Sequence, residues 1–213
     1  YRAGYRTLKI AELIAYINNG LTLTQKAVVV TFDDGWLDNY MYAFPILKKY
    51  KINATVFLIT NRVENASQNA AKIPSFIPMH DESKSLIEKG EAHKVALNWE
   101  LIKEMSNSGM IEFYSHTKSH AKCNSLPEKE LVAELRESRE IIEKRLGIPC
   151  PYFCWPYGKY NGLAVTSAKE AGYKAIFTTN HGVAQRGSDP FVINRVIVKD
   201  SIAWFKKRMV VYT

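Results

Sequence analysis

The sequence predicts an α/β fold built on a parallel sheet, and two observations carry that reading. Residues 26–32 form a short, β-branched apolar run of the kind found in strands buried on both faces. Similar runs then recur down the chain at 54–59, 111–115, 152–155, 174–178 and 192–198, most of them separated by stretches of helical period. Taken in order, the helical stretches cover residues 7–18, 38–50, 99–108, the segment after Ser125, 162–171 and 201–209. The clearest follows Ser125, where Ser-Leu-Pro-Glu reads as a capping box with proline in the first turn. Leu131, Leu135, Ile142 and Leu146 then recur near helical spacing before Gly147 ends the pattern.

About six strand–helix repeats suit either a barrel or a doubly wound open sheet; periodicity does not choose between them, and both place functional sites at strand C-terminal ends. With 213 residues, 46% of them hydrophobic, and no linker-like composition, one domain spanning 1–213 is expected. Residues 61–95 interrupt the alternation with polar, proline-containing sequence and read as a surface loop or excursion near the substrate path. The chain opens mid-pattern at Tyr1 without an initiator methionine, so an upstream segment is expected, together with any targeting signal. No apolar run approaches the roughly 20 residues of a membrane span.

The net charge of +8 is spread along the chain, as on an ordinary solvated surface, although it also suits an acidic polymer or anionic surface. No nucleic-acid-reading module accompanies it. Cys123, Cys150 and Cys154 make an odd set without zinc-knuckle spacing and do not decide the compartment.

Three clusters carry chemistry. The first strand runs into Thr31-Phe32-Asp33-Asp34-Gly35-Trp36, which sets two carboxylates at a strand end; alone, an Asp-Gly pair is also a common way to turn out of a strand. At a second strand end stands Ser115-His116-Thr117-Lys118-Ser119-His120, and one turn of helix would put both imidazoles on one face. Two neutral imidazoles and a carboxylate make a divalent-metal site with positions left for water and substrate. The third is Phe153-Cys154-Trp155-Pro156-Tyr157-Gly158, an aromatic strand ending in a turn able to present a backbone N–H to an oxyanion.

Thr-Phe-Asp-Asp-Gly, Ser-His-Thr-x-x-His and the later Pro-Tyr-Gly occur in the order seen in the polysaccharide deacetylase family, the NodB homology domain of carbohydrate esterase family 4, and the chain resembles that family over nearly its whole length. The resemblance implies a distorted (β/α) barrel with fewer than eight repeats. It implies metal-dependent hydrolysis of N-acetyl groups from an N-acetylglucosamine-containing polysaccharide. By motif match, Asp34, His116 and His120 would bind the metal, Asp33 would be the general base, Tyr157 would supply the oxyanion N–H and Thr117 would orient the loop. Asp33 is expected to titrate near the working pH. Zinc is the expected metal, with cobalt, nickel or iron compatible with the same ligands. Trp36, Trp155, Pro156 and Tyr157 are the expected sugar contacts. An extracellular, cell-surface or periplasmic location would follow from a polymer substrate.

The chain departs from the family pattern twice. Cys154 stands where an arginine usually supports the base, and Arg195 is the candidate to reach Asp33 from another strand. The late Leu-x-His element that supplies the general acid is missing, because no histidine follows His181. Together with Gly4-Tyr5-Arg6-Thr7, these departures resemble the branch acting on biofilm poly-N-acetylglucosamine, in which a Tyr-His strand lies upstream and would carry the acid. His80, His93 and His181 read as loop or surface histidines. Peptidoglycan, chitin oligomers and acetylated xylan are alternative substrates, and a carbohydrate-binding domain that kept its metal site but lost catalysis is the alternative of a different class.

Overall fold

A six-stranded parallel sheet forms the centre of the molecule, with strands in sequence order β3-β4-β5-β6-β7-β8. The structure, a computed structural model, describes residues 4–69 and 73–211. In chain order the elements are β1 (Arg6–Thr7), α1 (Ile10–Ile17), β2 (Ala27–Val28), β3 (Thr31–Phe32), α2 (Phe44–Tyr50), β4 (Ala54–Leu58), α3 (Thr60–Gln68) and α4 (His80–Glu88). After these come α5 (Trp99–Asn107), β5 (Ile111–Ser115), α6 (Glu128–Leu146), β6 (Tyr152–Cys154), α7 (Gly162–Glu170), β7 (Ala175–His181), β8 (Ile193–Arg195) and α8 (Ile202–Val211). Helices return the chain between neighbouring strands as far as β7, while β7 reaches β8 without one. The sheet curls so far that Arg195 on β8 reaches across to Thr31 on β3, at 3.2 Å from Nη1 to Oγ1. This is the distorted, incomplete barrel that the family resemblance implies.

Residues 26–32 are not one strand buried on both faces. Their first half pairs with β1, through Arg6 N–H to Lys26 O at 2.9 Å and Leu8 N–H to Val28 O at 2.8 Å, in a separate two-stranded sheet. Their second half turns into the main sheet, where Val30 O accepts from Thr55 N–H at 2.9 Å. The run lies at the edge of the curl and is only half-buried. The strands buried throughout are the central ones, β4 and β6. Trp155, Phe57, Phe113, Phe153 and Phe177 are the largest fully buried side chains of a continuous core.

Several helix limits shift for local reasons. The first helix starts at Ile10 because Thr7 is held in β1 and its hydroxyl accepts from Asn53 N–H at 3.0 Å. Residues 38–50 open with a π-helical turn, Asn39–Ala43, before α2. The capping box at Ser125 does not form: Ser125 Oγ donates to Lys122 O at 3.0 Å, and α6 begins at Glu128 after Pro127. Gly147, at φ 68°, ends it as expected. The segment 61–95 is largely helical, comprising α3, α4 and a 3₁₀ turn at Ala92–Lys94; residues 70–72 within it lie outside the described residues. Its polar composition had masked the buried Val63 and Ala66 that seat α3. Among the described residues, no helix is long and apolar enough to cross a membrane.

Gly35 marks the exit from β3. Its φ of +71° lies in the left-handed region, and a Cβ there would stand 2.9 Å from Leu58 Cδ2 of the neighbouring strand. Gly35→Ala is expected to lower the unfolding free energy by about 1–3 kcal/mol, measured by urea denaturation, since it adds both backbone strain and overpacking.

Candidate active site

Two consecutive left-handed residues, Asp34 at φ 74° and Gly35 at φ 71°, turn the chain sharply as it leaves β3. The turn sends the adjacent carboxylates to different partners. Asp33 receives Arg195 in a two-pronged grip, Nη1 to Oδ1 and Nη2 to Oδ2 both at 2.8 Å. Arg195 is itself fixed by Thr178 O, at 2.8 Å from Nε, and by Cys154 Sγ, at 3.1 Å from Nη2. Cys154 thus occupies the space beside Asp33, while the arginine enters from β8.

Asp34 faces the two histidines, with Oδ1 3.4 Å from His116 Nε2 and 3.3 Å from His120 Nε2. The histidines do not share a helical face. They follow β5 in a loop whose bends are made by left-handed Thr117 and His120, both at φ 66°. Thr117 Oγ1 accepts from His120 N–H at 3.0 Å, and the first turn of α3 clamps the loop through Asn61 N–H to Lys118 O at 2.9 Å. The spacing of the pair therefore brings the rings together by loop geometry.

The donor set fits a cation. His116 Nδ1 lies 2.7 Å from Cys154 O, an atom that only accepts, so Nδ1 carries a proton. Nε2 then faces the Asp34 carboxylate, and the space between them takes a positive charge, either a proton on Nε2 or a metal cation in its place. The ligand atoms of Asp34, His116 and His120 lie within 4.8 Å of one another, and these residues would hold a divalent metal.

The charges shift accordingly. Burial works against a charge on His116, but Cys154 and hydrogen bonding to Asp34 outweigh it and push the imidazole up to about 10. Burial lowers His120 to about 4, aided by repulsion from His116 and Arg62 against the pull of Asp34. Burial would raise Asp34, but His116, His120 and Arg62 hold it well below the usual carboxylate range. Asp33 is likewise held low: burial would raise it, but the Arg195 hydrogen bonds and the charges of His116 and Arg195 prevail. The expectation that Asp33 titrates near working pH is thereby corrected, because the two-pronged arginine stabilises its ionised form.

A cavity of about 440 Å³ opens over these groups, lined also by Trp36, Arg62, His80, Lys84, Tyr157 and Thr179. Tyr157 is 56% exposed, and its ring lies 4.3 Å from that of His120. Its φ of 55° and the following Gly158 make the turn tight; a Cβ on Gly158 would fall 1.9 Å from Thr179 Oγ1. Two of the expected sugar contacts move to the core: Trp155 is fully buried, stacked on Tyr160 at 5.5 Å, and Pro156 is buried beside it. An aromatic strand buried under both neighbouring strands keeps its rings inward, so only Trp36 and Tyr157 of that set line the cavity. His80, read as a surface histidine, lines it as well, in a T-shaped contact 5.1 Å from Trp36. Arg62 was not singled out in the sequence, yet it sits in the first turn of α3 at a strand C-terminal end, the same positional signal that marks the aspartates.

The curled parallel half-barrel thus carries a carboxylate–bis-histidine group beside an arginine-held aspartate at its strand C-terminal ends. The chain belongs to the polysaccharide deacetylase family, whose sequence model, described as "Polysaccharide deacetylase", matches residues 20–176. The Bacillus subtilis (strain 168) protein YxkH is 30% identical over 200 residues, covering 94% of this chain and 61% of its own length. The poly-beta-1,6-N-acetyl-D-glucosamine N-deacetylase of Escherichia coli (strain K12) is 27% identical over 225 residues, covering 93% of this chain and 31% of that protein. The chain therefore spans less than two thirds of these relatives. Among solved structures, IcaB from Ammonifex degensii superimposes with a TM-score of 0.76 at 26% identity, over 98% of this chain and 82% of that one.

Because His116 is held protonated without metal and His120 is not, Zn²⁺ binding near pH 7.5 should displace about one proton, from His116. Calorimetric titration in buffers of different ionisation enthalpy measures that number; a value near zero or near two would contradict the assignment.

Proposed function

We propose that this domain removes N-acetyl groups from an N-acetylglucosamine polysaccharide, with poly-β-1,6-N-acetylglucosamine as the substrate. The observation that carries this reading is the division of labour between adjacent carboxylates, Asp33 gripped by Arg195 and Asp34 facing His116 and His120. The E. coli relative's name supports the choice of polymer, and such a polymer places the enzyme at the cell surface, outside the cell or in the periplasm.

Asp34, His116 and His120 would hold the metal, zinc by its preference for two imidazoles and a carboxylate, with cobalt, nickel and iron compatible. When bound, it supplies Lewis-acid polarisation of the acetyl carbonyl and acidifies the attacking water. The remaining work falls to the chain. Asp33, ionised at neutral pH, accepts the proton of the water as it adds to the carbonyl carbon. The backbone N–H of Tyr157 donates to the oxyanion that develops there. Protonated Asp33, made a strong acid by Arg195, then returns the proton to the nitrogen as the C–N bond breaks, leaving acetate and a free amine. Trp36 and Tyr157 present aromatic surface to the sugar at the cavity wall.

Acetate release from β-1,6-linked N-acetylglucosamine oligomers should be abolished by stripping metal and restored by Zn²⁺. Asp33→Asn should lower kcat by about 10²–10⁴-fold with metal retained, and His116→Ala should lose the metal. Metal bound without release from these oligomers, while peptidoglycan or xylan fragments are cleaved, would replace the substrate. Metal bound with no release from any of them would leave a binding domain.

The pH profile tests the base separately. Asp33 works ionised, so activity falls as pH drops through its depressed pKa. Arg195→Met removes the group that depresses it, and the acid limb of kcat/KM should move to higher pH; an unmoved limb would assign that limb to another group.

A further inference from the structure

Arg62 is a charged side chain in the cavity whose hydrogen-bonding capacity is only partly used. Its side chain is only 11% exposed, and its Nε is buried with no hydrogen-bond acceptor. Among the described residues its side-chain hydrogen bond is long, 3.4 Å from Nη1 to the backbone oxygen of Asp34, and the same Nη1 makes only a loose ion pair, 3.8 Å from Asp34 Oδ2. Arg195, the other guanidinium at the site, is by contrast saturated by Asp33, Thr178 and Cys154. Asp34 cannot serve as Arg62's counter-ion and as a ligand at full strength together. A guanidinium withdrawn from water and held only loosely by its counter-ion gains from a closer anion that can meet its free donors.

Its orientation is already set. The guanidinium carbon lies 4.2 Å over the ring of Trp36, whose indole N–H donates to Asp34 Oδ2 at 3.0 Å. The stack fixes the plane of the fork, and Tyr157 lines the same cavity. A planar fork of donors at fixed orientation matches a carboxylate. We propose that Arg62 is a carboxylate-binding residue of this site, receiving the acetate that hydrolysis releases and the oxygens from which that acetate forms. The assignment rests on the deacetylase reading, which supplies the carboxylate, and it gives a role to a cavity residue that no sequence motif marks.

The test is direct binding of acetate to the purified, Zn²⁺-loaded chain by calorimetry, with metal content measured on every sample. Arg62→Met should weaken acetate binding about tenfold or more while keeping its metal, the range expected for a lost charge-assisted pair. Arg62→Lys, which keeps the charge without the fork, should fall between the two. If Arg62→Met does not fold, as judged by near-ultraviolet circular dichroism, the lysine variant carries the test, with at least a threefold weakening expected. Unchanged acetate affinity in a folded variant overturns the proposal. So does weakening that tracks loss of metal, because Arg62 would then act only through Asp34. Wild-type protein that binds no acetate overturns it too. Wild-type protein that binds acetate through Arg62 but releases none from any acetylated sugar would keep this assignment and remove the deacetylase reading.

Discussion

The pairing of Arg195 with Asp33 is the contact on which both the architecture and the chemistry depend. Two bonds of 2.8 Å join the last strand of the sheet to the turn after the first, so the pair closes the open side of the curl as it orients the carboxylate. Arg195 is 14% exposed and Asp33 33%, so neither charge can turn fully to water if the other is removed. Cys154 makes the arrangement possible from the middle of the sheet. It is small enough to admit a guanidinium from β8, its sulfur meets that guanidinium, and its carbonyl sets the tautomer of His116. One residue of β6 therefore touches both Arg195, which grips Asp33, and His116, which faces Asp34.

Adjacent aspartates would repel one another if they faced the same space. Left-handed backbone at Asp34 and Gly35 separates them, and each then faces a different set of cationic groups: an arginine for Asp33, imidazoles for Asp34. A base held below the usual carboxylate range is weak as a proton acceptor on its own. Under the proposed mechanism it would suffice, because a metal held by Asp34, His116 and His120 would acidify the attacking water.

The sequence by itself determined the strand–helix alternation, the parallel sheet, and the residues at strand ends whose side chains carry chemistry. Asp33, Asp34, His116, His120 and Tyr157 were legible because donor-bearing types clustered just after apolar runs, and Trp36 because it stood beside them. Other features were decided only by tertiary structure. Whether residues 26–32 formed one strand or two depended on which partners offered free backbone groups at each end. Trp155 and Trp36 read alike as aromatic residues near strand ends, and only the neighbours packed over Trp155 turned it into core. The helices within 61–95 were hidden because most of their polar faces look outward, and with them the approach of Arg62 and His80 to the cavity. Side-chain type and local spacing report what chemistry a segment can perform. Which groups meet, and which of them keeps hydrogen-bonding capacity unused, follows from contacts between residues far apart in the chain, such as Asp33 with Arg195 and Trp36 with His80.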